Sequence, residues 1–175
     1  VMDEYTLVMN EDPGTIVARF TERGLRELSL GVEAEDTSAN APKAVRKHMD
    51  ALRRAMGRYF AGKREDFKDI PLDLEGATAF RRSVWEAARG VPWGEVSTYG
   101  GLAELMGKTK GHSRAVGQAL GSNPIAILIP CHRFLACDGS LHGFACGLDW
   151  KETLLRLEGM TSFKGMETAM LAGVL

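Results

Sequence analysis

The chain predicts an α/β protein of α+β type: a small N-terminal domain of strands and a helix, then a mostly helical C-terminal domain. Three observations predict it. Short β-favouring runs separated by turn residues fill the first thirty positions, as in an antiparallel meander. Apolar residues at helical spacing take over from residue 41 onward. A length of 175 residues permits one large domain or two small ones, and a hydrophobic content of 45% is ample for a core.

The meander comes from Thr6–Met9, Thr15–Phe20 and Leu25–Leu30. Asp12-Pro13-Gly14 and Glu22-Arg23-Gly24 are the turn signals between them. Glu33 to Asn40 is polar and reads as a loop. Pro42 suits the first turn of a helix, on which Ala41, Val45, His48, Leu52, Ala55, Met56 and Tyr59 form the inner stripe. His48 on that stripe reads as a packed residue rather than a ligand. A last strand around Ile70–Leu74 closes the domain, placed at residues 1–76.

The second domain is placed at residues 77–160, leaving 161–175 as a tail without an assignable role. Thr78 is positioned to cap a helix running to Arg89, with Phe80, Val84, Trp85 and Ala88 inward. Pro92-Trp93-Gly94 makes a turn. Thr98 caps a short helix marked by Leu102, Leu105 and Met106, and Ser113 caps another marked by Val116 and Leu120. Two short helices about a polar turn, Lys108 to His112, have the plan of a helix-turn-helix. Lys151 to Glu158 forms one more helix, with Trp150, Leu154, Leu155 and Leu157 apolar.

Between these helices lies the most informative segment, Gly121 to Phe134. Ile125–Ile129 is apolar and rich in β-branched residues, which predicts a buried strand. Pro130 takes the backbone out of any ladder. Cys131 then stands at the edge of a rigid element, followed by His132 and Arg133. A thiolate is a strong nucleophile, but a free thiol ionises near 8.5 and needs a neighbouring base at neutral pH. His132 is the candidate base. Adjacent side chains on extended backbone point to opposite faces, so either the chain turns sharply after Pro130 or a water bridges the two groups.

Charge does not advertise a partner. The formal net charge is -1, yet residues 1–36 carry a net of -6 and residues 37–175 a net of +5. A basic body is compatible with a nucleic-acid contact on one face and equally with an ordinary enzyme. Mean hydropathy is -0.14, no apolar run has spanning length, and the first residues do not read as a signal peptide. Three cysteines cannot all pair within one chain. A reducing compartment is expected, cytoplasmic or, in a eukaryote, nuclear.

Pro130-Cys131-His132-Arg133 resembles the active-site signature of the O6-alkylguanine–DNA alkyltransferases, the methylated-DNA–protein-cysteine methyltransferases. The resemblance runs in order from Thr78 to Gly159 and includes Gly94-Glu95-Val96-Ser97-Thr98-Tyr99, Ser113 to Ala119, Gly143-Phe144-Ala145 and Lys151 to Gly159. It implies irreversible, single-turnover transfer of a methyl or other alkyl group from guanine O6 to Cys131. It implies no cofactor and no metal. A monomer is expected, with double-stranded DNA as partner through the minor groove and no membrane association.

The resemblance also assigns roles. A water links Cys131 to His132, Glu158 orients the imidazole, and Asn123 braces the turn at Cys131. The Tyr99 hydroxyl and the backbone N–H of Ala145 serve the guanine. Arg114 is the finger that fills the stack when the target base flips out, as a base inside a duplex must to be reached. Ala115 and Gly117, with Thr98 and Tyr99, approach the DNA closely. Phe144, Ala145, Ala126 and Arg133 belong to the substrate pocket. Three positions depart from the usual pattern: Phe144 replaces a tyrosine, Cys146 a glycine, and Ala126 a proline found in some members.

Three rivals follow from the residues alone. Cys131, Cys137, His142 and Cys146 are four possible zinc ligands in one short segment. Cys131 with His132 is also the pair of a cysteine hydrolase. A non-reactive lesion binder is the third, although a pure binder has no need of the thiol.

Overall fold

The computed structural model describes residues 3–141 and 143–161. The described residues divide into two compact units, one drawn from residues 3–77 with 124–128 and the other from residues 78–123 with 129–161.

The first unit is built on the meander β1 (Tyr5–Glu11), β2 (Gly14–Thr21) and β3 (Gly24–Leu30), in that spatial order. All pairs are antiparallel, with Leu7 opposite Ala18 and Ala18 opposite Leu28. Alternation sends Leu7, Met9, Ile16, Ala18, Phe20, Leu28 and Leu30 inward. Helix α1 (Lys43–Phe60) adds Val45, Met49, Leu52, Ala55, Met56 and Tyr59 to the core. Each Val, Leu or Met side chain among these contributes roughly 1.5–3 kcal/mol on burial. Met49 takes the inner place predicted for His48, which is half-buried.

Two predicted strands of this unit are corrected. Ile70–Leu74 contributes only a single parallel bridge, Leu25 to Leu72. It is strapped down by Leu25 N–H donating to Pro71 O (2.8 Å) and Asp73 N–H donating to Leu25 O (2.8 Å). Gly24 is needed for that approach: its φ is +145°, and a Cβ there would lie 2.4 Å from Pro71 O. The buried Asp73 carboxylate accepts from Thr21 Oγ1 at 2.7 Å and Arg26 Nη1 at 3.3 Å. Ile125–Ile129 is buried as predicted but is not a strand. After one bridge from Ile125 to Leu28, the chain turns. Leu128 N–H donates to Ala126 O at 2.9 Å across Ile127, whose φ is +71°. That is a γ-turn with a β-branched residue in the left-handed region, a costly conformation held only by its surroundings.

The second unit begins with α2 (Ala79–Arg89), capped by Thr78 accepting from Arg81 N–H at 3.2 Å. Val84, Trp85 and Ala88 face its core, and Phe80 is half-buried. Trp85 Nε1–H donates to Ala119 O at 2.8 Å, which ties α2 to α4 (Ser113–Gly121). Helix α3 (Tyr99–Leu105) is capped by Thr98, which accepts from Gly101 N–H at 3.0 Å. Leu105, expected inside, is 68% exposed, and Ala103 takes the inner position. Ser113 is the first residue of α4 and not its cap, because a 3-10 turn over Lys110–His112 leads directly into the helix. The pair α3–α4 realises the helix-turn-helix plan. A two-residue parallel pair, β4 (Ser97–Thr98) with β5 (Phe134–Leu135), and helix α5 (Leu148–Leu157) complete the unit. Helix α5 starts three residues before the predicted Lys151.

Candidate active site

The turn that presents Cys131 is made by the backbone itself. Pro130 has φ -81° and ψ 61°, and Cys131 N–H donates to Ile129 O at 2.8 Å across it. This is an inverse γ-turn, for which the fixed φ of proline is well suited. A 3-10 turn over Cys131–Arg133 follows at once. The chain therefore does turn sharply after Pro130, so the opposite-face geometry of extended backbone does not apply to Cys131 and His132.

Asn123 holds the sulfur in place. Its Nδ2 donates to Ile129 O at 2.8 Å and to Cys131 Sγ at 3.1 Å, so one amide fixes both the turn and the thiol. Cys131 is half-buried. Burial pushes its thiol up to about 11, against the Asn123 hydrogen bond and the positive charge of Lys151.

Behind the thiol lies a buried ionic cluster. His132 Nε2 faces Glu158 Oε1 at 2.7 Å. Arg133 grips the same carboxylate with two nitrogens, Nε to Oε2 at 2.8 Å and Nη2 to Oε1 at 2.9 Å, and its Nη1 donates to Val91 O at 2.6 Å. Burial alone would raise the Glu158 carboxyl, but hydrogen bonds from His132 and Arg133 and their charges bring it down to about 2. Glu158 is therefore ionised and can only accept, so His132 Nε2 carries the proton. His132 Nδ1 then has the free lone pair. It is buried and has no hydrogen-bond partner among the described residues. Burial lowers the pKa of His132 in spite of Glu158, leaving the ring neutral at neutral pH. Gly94 lets the chain pass close to this cluster: its φ is +80°, and a Cβ there would lie 3.3 Å from Glu158 O.

Lys151 is the site residue that sequence reasoning missed. Its side chain is fully buried, and Nζ donates to Phe134 O at 2.6 Å. Burial lowers it to about 8, while the Cys131 charge pulls it the other way. The signal was present: Lys151, Leu154, Leu155 and Glu158 recur at helical spacing, and all four are buried.

The remaining predicted residues divide between two regions. Tyr99 is half-buried at the start of α3, its hydroxyl raised above 10 by burial and then by the Cys131 charge. Its ring lies beside Gly117, where a Cβ would be 3.7 Å from Tyr99 Cδ1. Arg114 is exposed on the first turn of α4, followed by the half-buried Ala115. Thr98 uses its hydroxyl as the α3 cap. Phe144 and Ala145 form a turn closed by Gly147 N–H donating to Phe144 O at 2.9 Å. Arg133, expected at the substrate pocket, is a buried clamp on Glu158, and Ala126 is buried within the first unit. All three cysteines are free thiols. Among the described residues, no group of three or more His, Cys, Asp or Glu side chains is arranged to hold a metal ion. His142, one of the four zinc candidates, lies outside the described residues.

A thiol braced by an amide, a buried imidazole with one free nitrogen and a helix-turn-helix in one unit define a nucleophilic cysteine protein equipped to meet a nucleic acid. Comparison with known proteins agrees. Residues 79–160 match the family described as 6-O-methylguanine DNA methyltransferase, DNA binding domain. A methylated-DNA–protein-cysteine methyltransferase of Methanosarcina acetivorans is 39% identical over 160 residues, spanning 89% of this chain and 98% of that protein. The protein of that name from Haemophilus influenzae is 52% identical over 107 residues, 61% of this chain and 59% of its own. The crystal structure of Mycobacterium tuberculosis OGT in complex with DNA matches with a TM-score of 0.70 at 34% identity, over 86% of this chain and 90% of that one. This chain belongs to the methylated-DNA–protein-cysteine methyltransferase family.

Proposed function

We propose that this chain repairs O6-alkylguanine in duplex DNA by moving the alkyl group to Cys131. The observation that carries the reading is the cluster itself: Asn123 on Cys131 Sγ, and behind it a neutral His132 whose proton is fixed on the Glu158 side. With a thiol near 11, only about one molecule in ten thousand holds a thiolate at pH 7. Ionisation must therefore accompany the reaction. A bridging water carries the thiol proton to His132 Nδ1, and Glu158 steadies the imidazolium that results. Sulfur attacks the saturated carbon, the C–S bond forms, and the C–O bond breaks with its electron pair left on guanine. The Tyr99 hydroxyl and the Ala145 N–H stabilise that charge, and the proton held by His132 restores neutral guanine and neutral imidazole.

Arg133 acts as a positioning residue, since its guanidinium holds Glu158 and does not reach outward. Helix α4 enters the minor groove, where Ala115 and Gly117 permit close approach and the exposed Arg114 fills the space of the extruded base. Phe144 walls the pocket. The thioether product has no route back, so each molecule acts once, without a cofactor, as a monomer in a reducing compartment such as the cytoplasm. Among the described residues no helix is long and apolar enough to cross a membrane. Cys131→Ser tests the reading: transfer from methylated duplex is lost while duplex binding persists. Transfer at the normal rate by that variant refutes it.

A further inference from the structure

Outside the active site, a strongly charged surface lies on α1. Its inner face is fully committed to the core of the first unit. On the opposite face Lys43, Arg46, Lys47, Asp50 and Arg54, with Ala44, line an open, shallow groove. Four cations thus surround one carboxylate. The neighbouring cations of the helix are answered locally: Arg58 pairs with Glu65 at 2.6 Å, and Arg53 faces Asp36 electrostatically. No salt bridge among the described residues involves the four groove cations. A cluster of like charges left unneutralised beside paired ones is a cost to the fold and a natural seat for a polyanion.

We propose that this groove is an independent contact for duplex DNA, made to backbone phosphates, resting as it does on the chain being a duplex binder. From Lys43 to Arg54 the stripe runs eleven residues, roughly 16 Å along the helix axis. Phosphates of one strand recur about every 3.4 Å along the duplex, so the stripe spans about five of them. Arginine forks match phosphate oxygens geometrically and lysines serve as point charges. The contact reads no sequence, because phosphates carry none. It supplies affinity and salt dependence to a protein whose overall charge of -1 gives no general attraction to DNA.

The test measures binding of the full chain to undamaged duplex as a function of salt. The variants are K43Q/R46Q/K47Q/R54Q, D50N and R114A, with reaction of free benzylguanine as a control. The quadruple variant is expected to bind about tenfold or more weakly at moderate salt, and its log–log salt slope to flatten by about 3.6. D50N is expected to bind more tightly than the parent, an outcome that misfolding does not produce. Both react with benzylguanine at the parent rate. An unchanged slope in the quadruple variant, or a D50N variant that binds no tighter, overturns the proposal. If R114A still weakens binding in that case, the repair reading stands without the groove; if the parent chain binds no duplex at all, both fall. Binding to anionic phospholipid vesicles that falls in the quadruple variant, with duplex binding unchanged, assigns the groove to a membrane and also overturns the proposal.

Discussion

Replacing Glu158 by glutamine removes one charge from the centre of the buried cluster and leaves its shape. Glu158 is 3% exposed and accepts three hydrogen bonds, from His132 Nε2 and from Arg133 Nε and Nη2. Its carboxyl lies at about 2 instead of the ordinary 4.5, a difference that corresponds to roughly 3 kcal/mol of stability. Removing one partner of a buried ion pair costs about 3–5 kcal/mol by a separate route, because Arg133 is left as an uncompensated buried charge. Because the folded pKa is depressed, the stabilisation is complete above pH 4.5 and disappears as pH falls through about 2. Urea denaturation across that range is the assay. The parent is expected to lose stability progressively between pH 5 and pH 2, and Glu158→Gln to be weaker at pH 7 with a flatter profile below pH 5. His132, also depressed by burial, adds to the parent's loss below its ordinary value of 6.5 in the same direction. A variant within about 0.5 kcal/mol of the parent at pH 7, the usual range for neutral surface changes, refutes the cluster's energetic role.

Three further outcomes follow from the same geometry. Lys151 is held near 8, below its ordinary 10.5, so it adds stability to the parent as pH rises from 8 to 10.5, an addition offset above pH 9 by the raised Cys131 thiol. Lys151→Met should lose that gain while slowing alkyl transfer at pH 7, and a parallel pair of stability profiles contradicts this. Arg114→Ala should impair repair in duplex DNA more than reaction with free benzylguanine, and equal losses remove its role as the finger. Gly117→Ala should leave the melting temperature unchanged or higher, because its methyl meets Tyr99 at an ordinary 3.7 Å and alanine favours helix by about 1 kcal/mol. Its duplex binding should nevertheless fall, and unaltered binding places the α4 face away from DNA.

Much of the fold was legible because its elements are locally encoded. The meander alternates cleanly between turn residues, and Thr78 and Thr98 cap α2 and α3 as their side chains predict. The failures have different causes. Apolar, β-branched runs report burial and not backbone conformation, so Ile125–Ile129 was expected to be a strand although Ile127 sits at φ +71° inside a γ-turn. The β4–β5 pair joins Ser97 to Phe134 over two residues, too short for any alternation to show. In the site, Cys131 and His132 were visible as adjacent residue types, whereas the role of Glu158 came only from the family resemblance. The clamp by Arg133 and the burial of Lys151 were not, because long cationic side chains are ordinarily solvated. Only the helical phase shared by Lys151 and Glu158 betrays the inward face. The inverse γ-turn at Pro130 likewise shows a sharp turn of the chain at Cys131, which the sequence alone left open.

Intact mass spectrometry of the chain, after exposure to excess duplex carrying O6-methylguanine under reducing conditions, addresses the central claim with least inference. The account predicts the gain of a single methyl per chain, recovered on the peptide containing Cys131, with Cys137 and Cys146 unmodified and no second turnover. A chain of unchanged mass, or a methyl recovered on any other residue, contradicts it.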